Sequence, residues 1–371
     1  MRTRRLLLMI SIPVILLVGV VIWAYFYFSK EDPDYLIHYI KNKPEQVAFL
    51  ISYNGEEVVK RQPDLQMPLA STAKIIVAIE YAYQVAEGKI DPQEKVPLAE
   101  VDHFYLEDTD GGSHQNWLEE MDKKGLVDRE EKVPLHEVAK GMIAHSSNAN
   151  TDYLMDRLGL DNVNKRIEKL ELKNHQPLYP ITASMLIPDF IQHQQEDELS
   201  DEEIINQMQK LSLKEYRSLA NQIHEQLKEN TYPNKEESVI PPPNVQQVWS
   251  DRLPASNVED YGWMMQRINQ RDYFPEKVQE TLEDLMEWPM EQHPDNKKHF
   301  KHLGGKGGST IFILTQAVYG EDHKGNKMEI VFLSNQKGII ERLKVRRNFD
   351  KFLSELFYND SFRERVIKEL Q

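Results

Sequence analysis

The chain has no cysteine among its 371 residues. That excludes disulfide staples, thiolate zinc sites and a lipid-modified N-terminal cysteine together. It also lacks any basic excess: 45 Lys and Arg stand against 60 Asp and Glu, for a formal net charge of −15. No strong basic stripe is left over to neutralise phosphates, so nucleic acid is not an expected partner. Low-complexity stretches are missing too, and a hydrophobic content of 40% is enough for a full core in one large domain or two small ones.

One long apolar run is present. Leu6 to Phe28 is interrupted only by Ser11, Pro13 and Gly19, and is long enough to cross a hydrocarbon core of about 30 Å as a helix. Arg2, Arg4 and Arg5 precede it, which sets the N-terminus in the cytoplasm and the rest of the chain outside. The run ends in Trp23-Ala24-Tyr25-Phe26-Tyr27-Phe28 with no small-x-small cleavage site, so an uncleaved anchor is expected rather than a signal peptide. The expected organisation is a cytoplasmic stub and transmembrane anchor over 1–28, a polar linker over 29–45, and a folded domain over 46–371.

Within that domain Ser71-Thr72-Ala73-Lys74 heads an apolar segment, Ile75-Ile76-Val77-Ala78-Ile79. Residues three apart share a helix face, so a hydroxyl and an amine can share a proton, which makes a nucleophile with its base beside it. A helix N-terminus also offers N–H groups and a positive dipole end to an oxyanion. Ser334-Asn335-Gln336-Lys337 has the same spacing, but it closes a strand and runs into Gly338, and is taken as accidental.

The surroundings read as mixed structure. Asn54-Gly55 between two apolar runs is a hairpin signal, and Gly88 is a helix stop. His103-Phe104-Tyr105 and Asp108 to Trp117 read as an irregular stretch, with Tyr105 a candidate aromatic rim over a pocket. Asp108, Asp110 and Glu119 fall at three positions of a calcium loop, but Gly112 and Ser113 break the pattern, and no metal or cofactor is expected. Ser146-Ser147-Asn148 lies in a turn between two short helices. Residues 190–250 look like an inserted helical hairpin, opened by the capping box Ser200-Asp201-Glu202-Glu203 and closed by Pro241-Pro242-Pro243. A second capping box is expected at Ser256-Asn257-Val258-Glu259. Gly304 to Thr310 leads into two apolar strands, and the chain ends in a charged helix. Strands at both ends with helices between imply an α+β fold, an antiparallel sheet of N- and C-terminal strands packed with a helical region.

Ser71-x-x-Lys74, Ser146-x-Asn148 and Lys306-Gly307-Gly308 stand in the order of the three signatures of the penicillin-recognising serine hydrolases. The chain resembles that family, the class A β-lactamases and penicillin-binding proteins, over roughly 45–190 and 250–371, including Gly88-Lys89-Ile90-Asp91-Pro92. The resemblance implies an acyl-enzyme on Ser71, with Lys74 as base if burial and the neighbouring Lys306 keep it neutral. It implies that Ser146 passes a proton to the leaving nitrogen and that Asn148 holds the substrate amide. It implies further that Lys306 would attract a substrate carboxylate, that Gly308 belongs to the substrate-binding strand, and that the N–H groups of Ser71 and Ser309 form the oxyanion hole.

Two motif positions depart from the family. Ser147 replaces an aspartate and Gly307 a threonine, and the stretch Tyr179 to Leu186 holds no acid where class A β-lactamases carry a deacylating glutamate. Three readings follow: an anchored serine hydrolase acting on cell-wall peptide or a related amide or ester; a true β-lactamase with an unconventional deacylation base; and a non-catalytic wall-binding or β-lactam-sensing module.

Overall fold

The computed structural model describes residues 31–233, 235 and 240–371. The expected membrane span lies outside them; among the described residues no helix is long and apolar enough to cross a membrane. The described residues form two compact units, one within 47–335 and a terminal one of 31–46 with 336–371.

The larger unit carries strands β1 (Val47–Tyr53), β2 (Glu56–Arg61), β3 (Met67–Pro68), β4 (Lys95–Pro97), β5 (Lys132–Pro134), β6 (Ala255–Ser256), β7 (Phe300–Ser309), β8 (Ile313–Asp322) and β9 (Lys327–Asn335). Five of them form an antiparallel sheet in the order β2-β1-β9-β8-β7. The first and last strands of the unit therefore meet at the sheet centre. Asn54 and Gly55 turn β1 into β2 with φ of 51° and 88°, the left-handed pair that a two-residue hairpin demands.

Between these strands runs the helix Lys74–Ala86, whose residues from Lys74 to Ala82 are all buried. A helix apolar all round has no solvent face and must pass through the core. It ends where Gly88, at φ 68°, lets the Lys89 N–H reach back to Gln84 O at 2.9 Å. A short 3₁₀ turn, Ala70–Ala73, precedes the helix.

The 190–250 region holds the helices Asp201–Lys210, Leu213–Lys228 and Pro243–Arg252. The capping box at Ser200 and Glu203 is present, and a second at Ser212 and Glu215 separates the first two helices. Met208, Tyr216, Ala220, Ile223 and Leu227 join the main core, so this hairpin packs into the unit rather than standing off it. The box expected at Ser256 is not formed. Ser256 pairs with Met67 as part of β6, and Asn257 caps the helix Val258–Gln270 instead, accepting from the Asp260 N–H at 3.0 Å.

In the terminal unit, part of the stretch expected as linker is helical. Asp34–Asn42 buries Leu36, Ile37, Tyr39 and Ile40, an i, i+1, i+3, i+4 stripe that packs on the C-terminal helices Ile339–Tyr358 and Asp360–Leu370. Those helices supply Val345, Phe349, Phe352, Leu356, Phe362, Val366 and Leu370. The Phe352 and Phe362 rings meet edge to face at 5.8 Å.

Candidate active site

Ser71 sits in the 3₁₀ turn, half-buried, between Ala70 and a fully buried Thr72. Ala70 adopts φ 46° and Ser146 φ 69°. Left-handed backbone at a non-glycine residue is strained and persists only where its surroundings hold it. Here two such residues flank one site.

Three chain segments meet there. Lys74, with no solvent exposure, directs its Nζ to Ser146 O at 2.6 Å, Asn148 Oδ1 at 2.9 Å, Ser147 O at 3.3 Å and Ser146 Oγ at 3.4 Å. The third segment closes the site from the other side. Thr72 Oγ1 lies 2.8 Å from Thr315 Oγ1, whose hydroxyl donates to Leu69 O at 2.8 Å. Gly308 packs so tightly that a Cβ on it would stand 2.5 Å from Ser71 N and 2.8 Å from Leu69 O. A glycine is required at that approach. Ser309 follows it, exposed at the end of β7.

Burial drives the Lys74 pKa well below its ordinary value, and the Lys306 charge lowers it further, against smaller opposing pulls from Asp110 and Asp152. Lys306 is 4% exposed, and burial alone brings its pKa down to about 7. Its Nζ donates to Gly307 O at 2.8 Å. Among the described residues no hydrogen bond joins Lys74 to Ser71 Oγ, although the spacing predicts a shared proton. The oxygens of the Ser146–Asn148 turn compete for the amine. A neutral amine with its two protons on Ser146 O and Asn148 Oδ1 keeps one lone pair to accept from a hydroxyl.

Tyr105 is half-buried over a cavity of ≈ 380 Å³ that it lines with Asp102, Leu106, Met185 and Lys235. Its hydroxyl is buried with no hydrogen-bond partner among the described residues. Several contributors were not legible in the motifs. Gln316 stands opposite Gly307 in the register, and a Cβ on Gly307 would run into its Oε1. The amide of Gln316 thus fills the space of the side chain that Gly307 lacks. Asp152, fully buried, accepts from the N–H groups of Ile181 and Thr182 at 2.8 Å each, which seats the acid-free helix Ile181–Met185 beside the site. Ser147, the residue replacing the family's aspartate, is buried against His114. The signal for His114 is the stripe His114, Trp117, Met121 at i, i+3, i+7.

A buried Ser-x-x-Lys helix start, a Ser-x-Asn turn on its lysine and a Lys-Gly-Gly strand against its serine, on an α+β scaffold, define a β-lactamase-like serine-hydrolase fold. A sequence model of the beta-lactamase enzyme family matches residues 35–293, and the chain belongs to that family. The match ends before β7, so Lys306 to Ser309 lie outside it. Among solved structures, the TLA-1 extended-spectrum β-lactamase is similar at 14% identity over 88% of this chain and 96% of that one, with a TM-score of 0.51. A class A β-lactamase representative from Bacteroides cellulosilyticus shares 15% identity over 92% and 99%, at a TM-score of 0.49. An acyl-enzyme complex of PBP-A with penicillin G shares 15% over 87% and 96%, at 0.48. At these identities the likeness is one of fold. No curated protein sequence matches the chain.

Proposed function

We propose that this protein is a membrane-anchored serine hydrolase whose domain lies outside the cytoplasmic membrane, and that it forms an acyl-enzyme on Ser71 with a cell-wall peptide, a β-lactam or a related amide or ester. The observation that carries this reading is the convergence on Ser71 of a buried, pKa-lowered Lys74, the Ser146–Asn148 turn and the Lys306–Ser309 strand. Ser71 Oγ bonds to the substrate carbonyl carbon as its proton passes to the neutral Lys74 amine. The oxyanion is received by the N–H groups of Ser71 and Ser309. As the carbon–nitrogen bond breaks, the proton moves from Lys74 through the Ser146 hydroxyl to the leaving nitrogen. The membrane part rests on the Leu6–Phe28 run and its preceding arginines.

Between a hydrolase that clears β-lactams and one that is trapped by them, the helix Ile181–Met185 favours trapping. It offers no carboxylate, and Asp152 beneath it is occupied on both oxygens by backbone N–H groups. Incubating the full chain with penicillin and following its intact mass tests both points. A lasting adduct on the parent and none on Ser71→Ala is the expected result. An adduct that persists on Ser71→Ala sinks the assignment, and rapid drug consumption with a transient adduct makes the protein a β-lactamase.

A further inference from the structure

Beneath the Ser146–Asn148 turn lies a chain of hydrogen bonds that the proposed acylation does not use. His114 has no solvent exposure. Its Nε2 faces Asp102 Oδ1 at 2.9 Å, and its Nδ1 faces Ser147 Oγ at 3.0 Å. Ser147 Oγ in turn lies 2.9 Å from Asn150 Oδ1 and accepts from the Asn150 N–H at 3.2 Å. The order Asp, His, Ser imitates a catalytic triad. Ser147 is not a nucleophile, because its residue is fully buried and its hydroxyl is spent as a helix cap.

The protons in this chain can be counted. A carboxylate only accepts, so Nε2 carries a hydrogen toward Asp102. The Asn150 amide cannot be turned around, since its Nδ2 donates to Val138 O at 3.1 Å and an oxygen there would face an oxygen. Asn150 Oδ1 therefore needs a donor, and Ser147 has one proton. If Ser147 spends it on Asn150, His114 Nδ1 must be a donor as well. If it spends it on His114, a buried oxygen loses its partner. Only the doubly protonated ring satisfies every group.

The surroundings suit a cation. Tyr105 stacks on the ring at 4.6 Å and Trp117 lies tilted at 5.4 Å. Asp110 accepts from the backbone N–H of His114, not from the ring, at 3.1 Å. Of the two lysines nearby, Lys235 Nζ donates to Asp102 O, and the Lys74 amine, neutral in the proposed acylation, donates to the Ser147 carbonyl oxygen rather than to the ring.

We infer that His114 is a positioning residue, held as an imidazolium between Asp102 and Ser147, which fixes Ser147 and so the carbonyl and turn on which Lys74 rests. The inference rests on the proposed role of Lys74 as base to Ser71. It gives the serine that replaces an aspartate in the second motif a stated task.

Two measurements on the full chain test it. With ¹⁵N-histidine labelling, and His114→Gln to identify the signal, both ring nitrogens of His114 are expected to carry protons at neutral pH. A ring with one bare nitrogen overturns the inference. The second reads acylation by a fluorescent penicillin. In His114→Asn the amide nitrogen stands where Nδ1 stood and keeps a donor on Ser147; in His114→Gln it stands where Nε2 stood and serves Asp102 alone. Asparagine is expected to rescue labelling to within about threefold of the parent, while glutamine slows it about tenfold or more, the worth of one buried hydrogen bond. Equal rates in the two variants, at matched melting temperatures, overturn the inference. If the parent itself is never labelled, the proposed function fails while the proton count is still decided by the nitrogen signals.

Discussion

Replacing Gly308 by alanine puts a methyl carbon 2.5 Å from Ser71 N, 2.7 Å from Thr315 Oγ1 and 2.8 Å from Leu69 O. Two of the three are backbone atoms of the turn that carries Ser71, and neither can swing aside. Strand β7 must back away by about 1 Å to restore ordinary contact distances, and Ser309 at its end must move with it. Overpacking of this kind costs about 1–3 kcal/mol of stability, and a lost oxyanion donor costs about 10²–10³ in rate. Gly308→Ala should therefore melt a few degrees lower and acquire a penicillin adduct at least about 100-fold more slowly. Gly307→Ala is the control: its closest conflict is the mobile end of Gln316, with the backbone of Thr315 no nearer than 3.4 Å. Labelling rates from intact mass and melting curves on both variants decide the matter. Parental labelling and melting in Gly308→Ala would refute the argument that this strand is seated by a glycine against the serine.

The pH dependence of ligand binding offers a second check. Lys306, at about 7 in the free protein, must be charged to attract a carboxylate, and a bound carboxylate raises its pKa. Affinity of Ser71→Ala for a penicillin should then be full below pH 7 and fall about tenfold per unit above it, while Lys306→Gln flattens that slope. A slope unchanged in Lys306→Gln places the carboxylate elsewhere. Asp284 governs part of the acid limb of stability. The His136 ring at 2.5 Å, and after it Lys140 at 3.1 Å, hold its pKa at about 2 against an ordinary 3.8. A depressed acid stabilises above its unfolded pKa and loses that contribution as pH falls from 3.8 toward 2. Asp284→Asn should make unfolding less pH-dependent across that window, followed by circular dichroism; an unaltered acid limb shows that the pair contributes nothing.

The amino-acid sequence by itself determined what depends on neighbours along the chain. The hairpin at Asn54-Gly55, the helix stop at Gly88 and the capping box at Ser200 are local backbone preferences, and each stands where the residues put it. The α+β character follows from the same periodicities. The stripe Leu36, Ile37, Tyr39, Ile40 is equally local: a helical periodicity carries the helix Asp34–Asn42 inside a segment whose composition is polar. Ser256 failed as a cap because its backbone was already paired with Met67, a partner far away in the chain.

Tertiary structure alone decided what crosses the chain. Gln316 faces Gly307 through a strand register in which a slip of one residue would send it to the other face of the sheet. Thr315 is tied to Leu69 and Thr72 across more than two hundred residues. His114 meets Asp102 and Ser147 because the ends of three separate helices converge, with His114 and Ser147 buried and Asp102 at the surface. The spacing of Ser71 and Lys74 names a pair of side chains, but packing chose the partners of the amine. With no solvent at Lys74, its nearest oxygens belong to Ser146 and Asn148, and in a buried site the hydrogen bonds go to whichever acceptors the fold brings within reach.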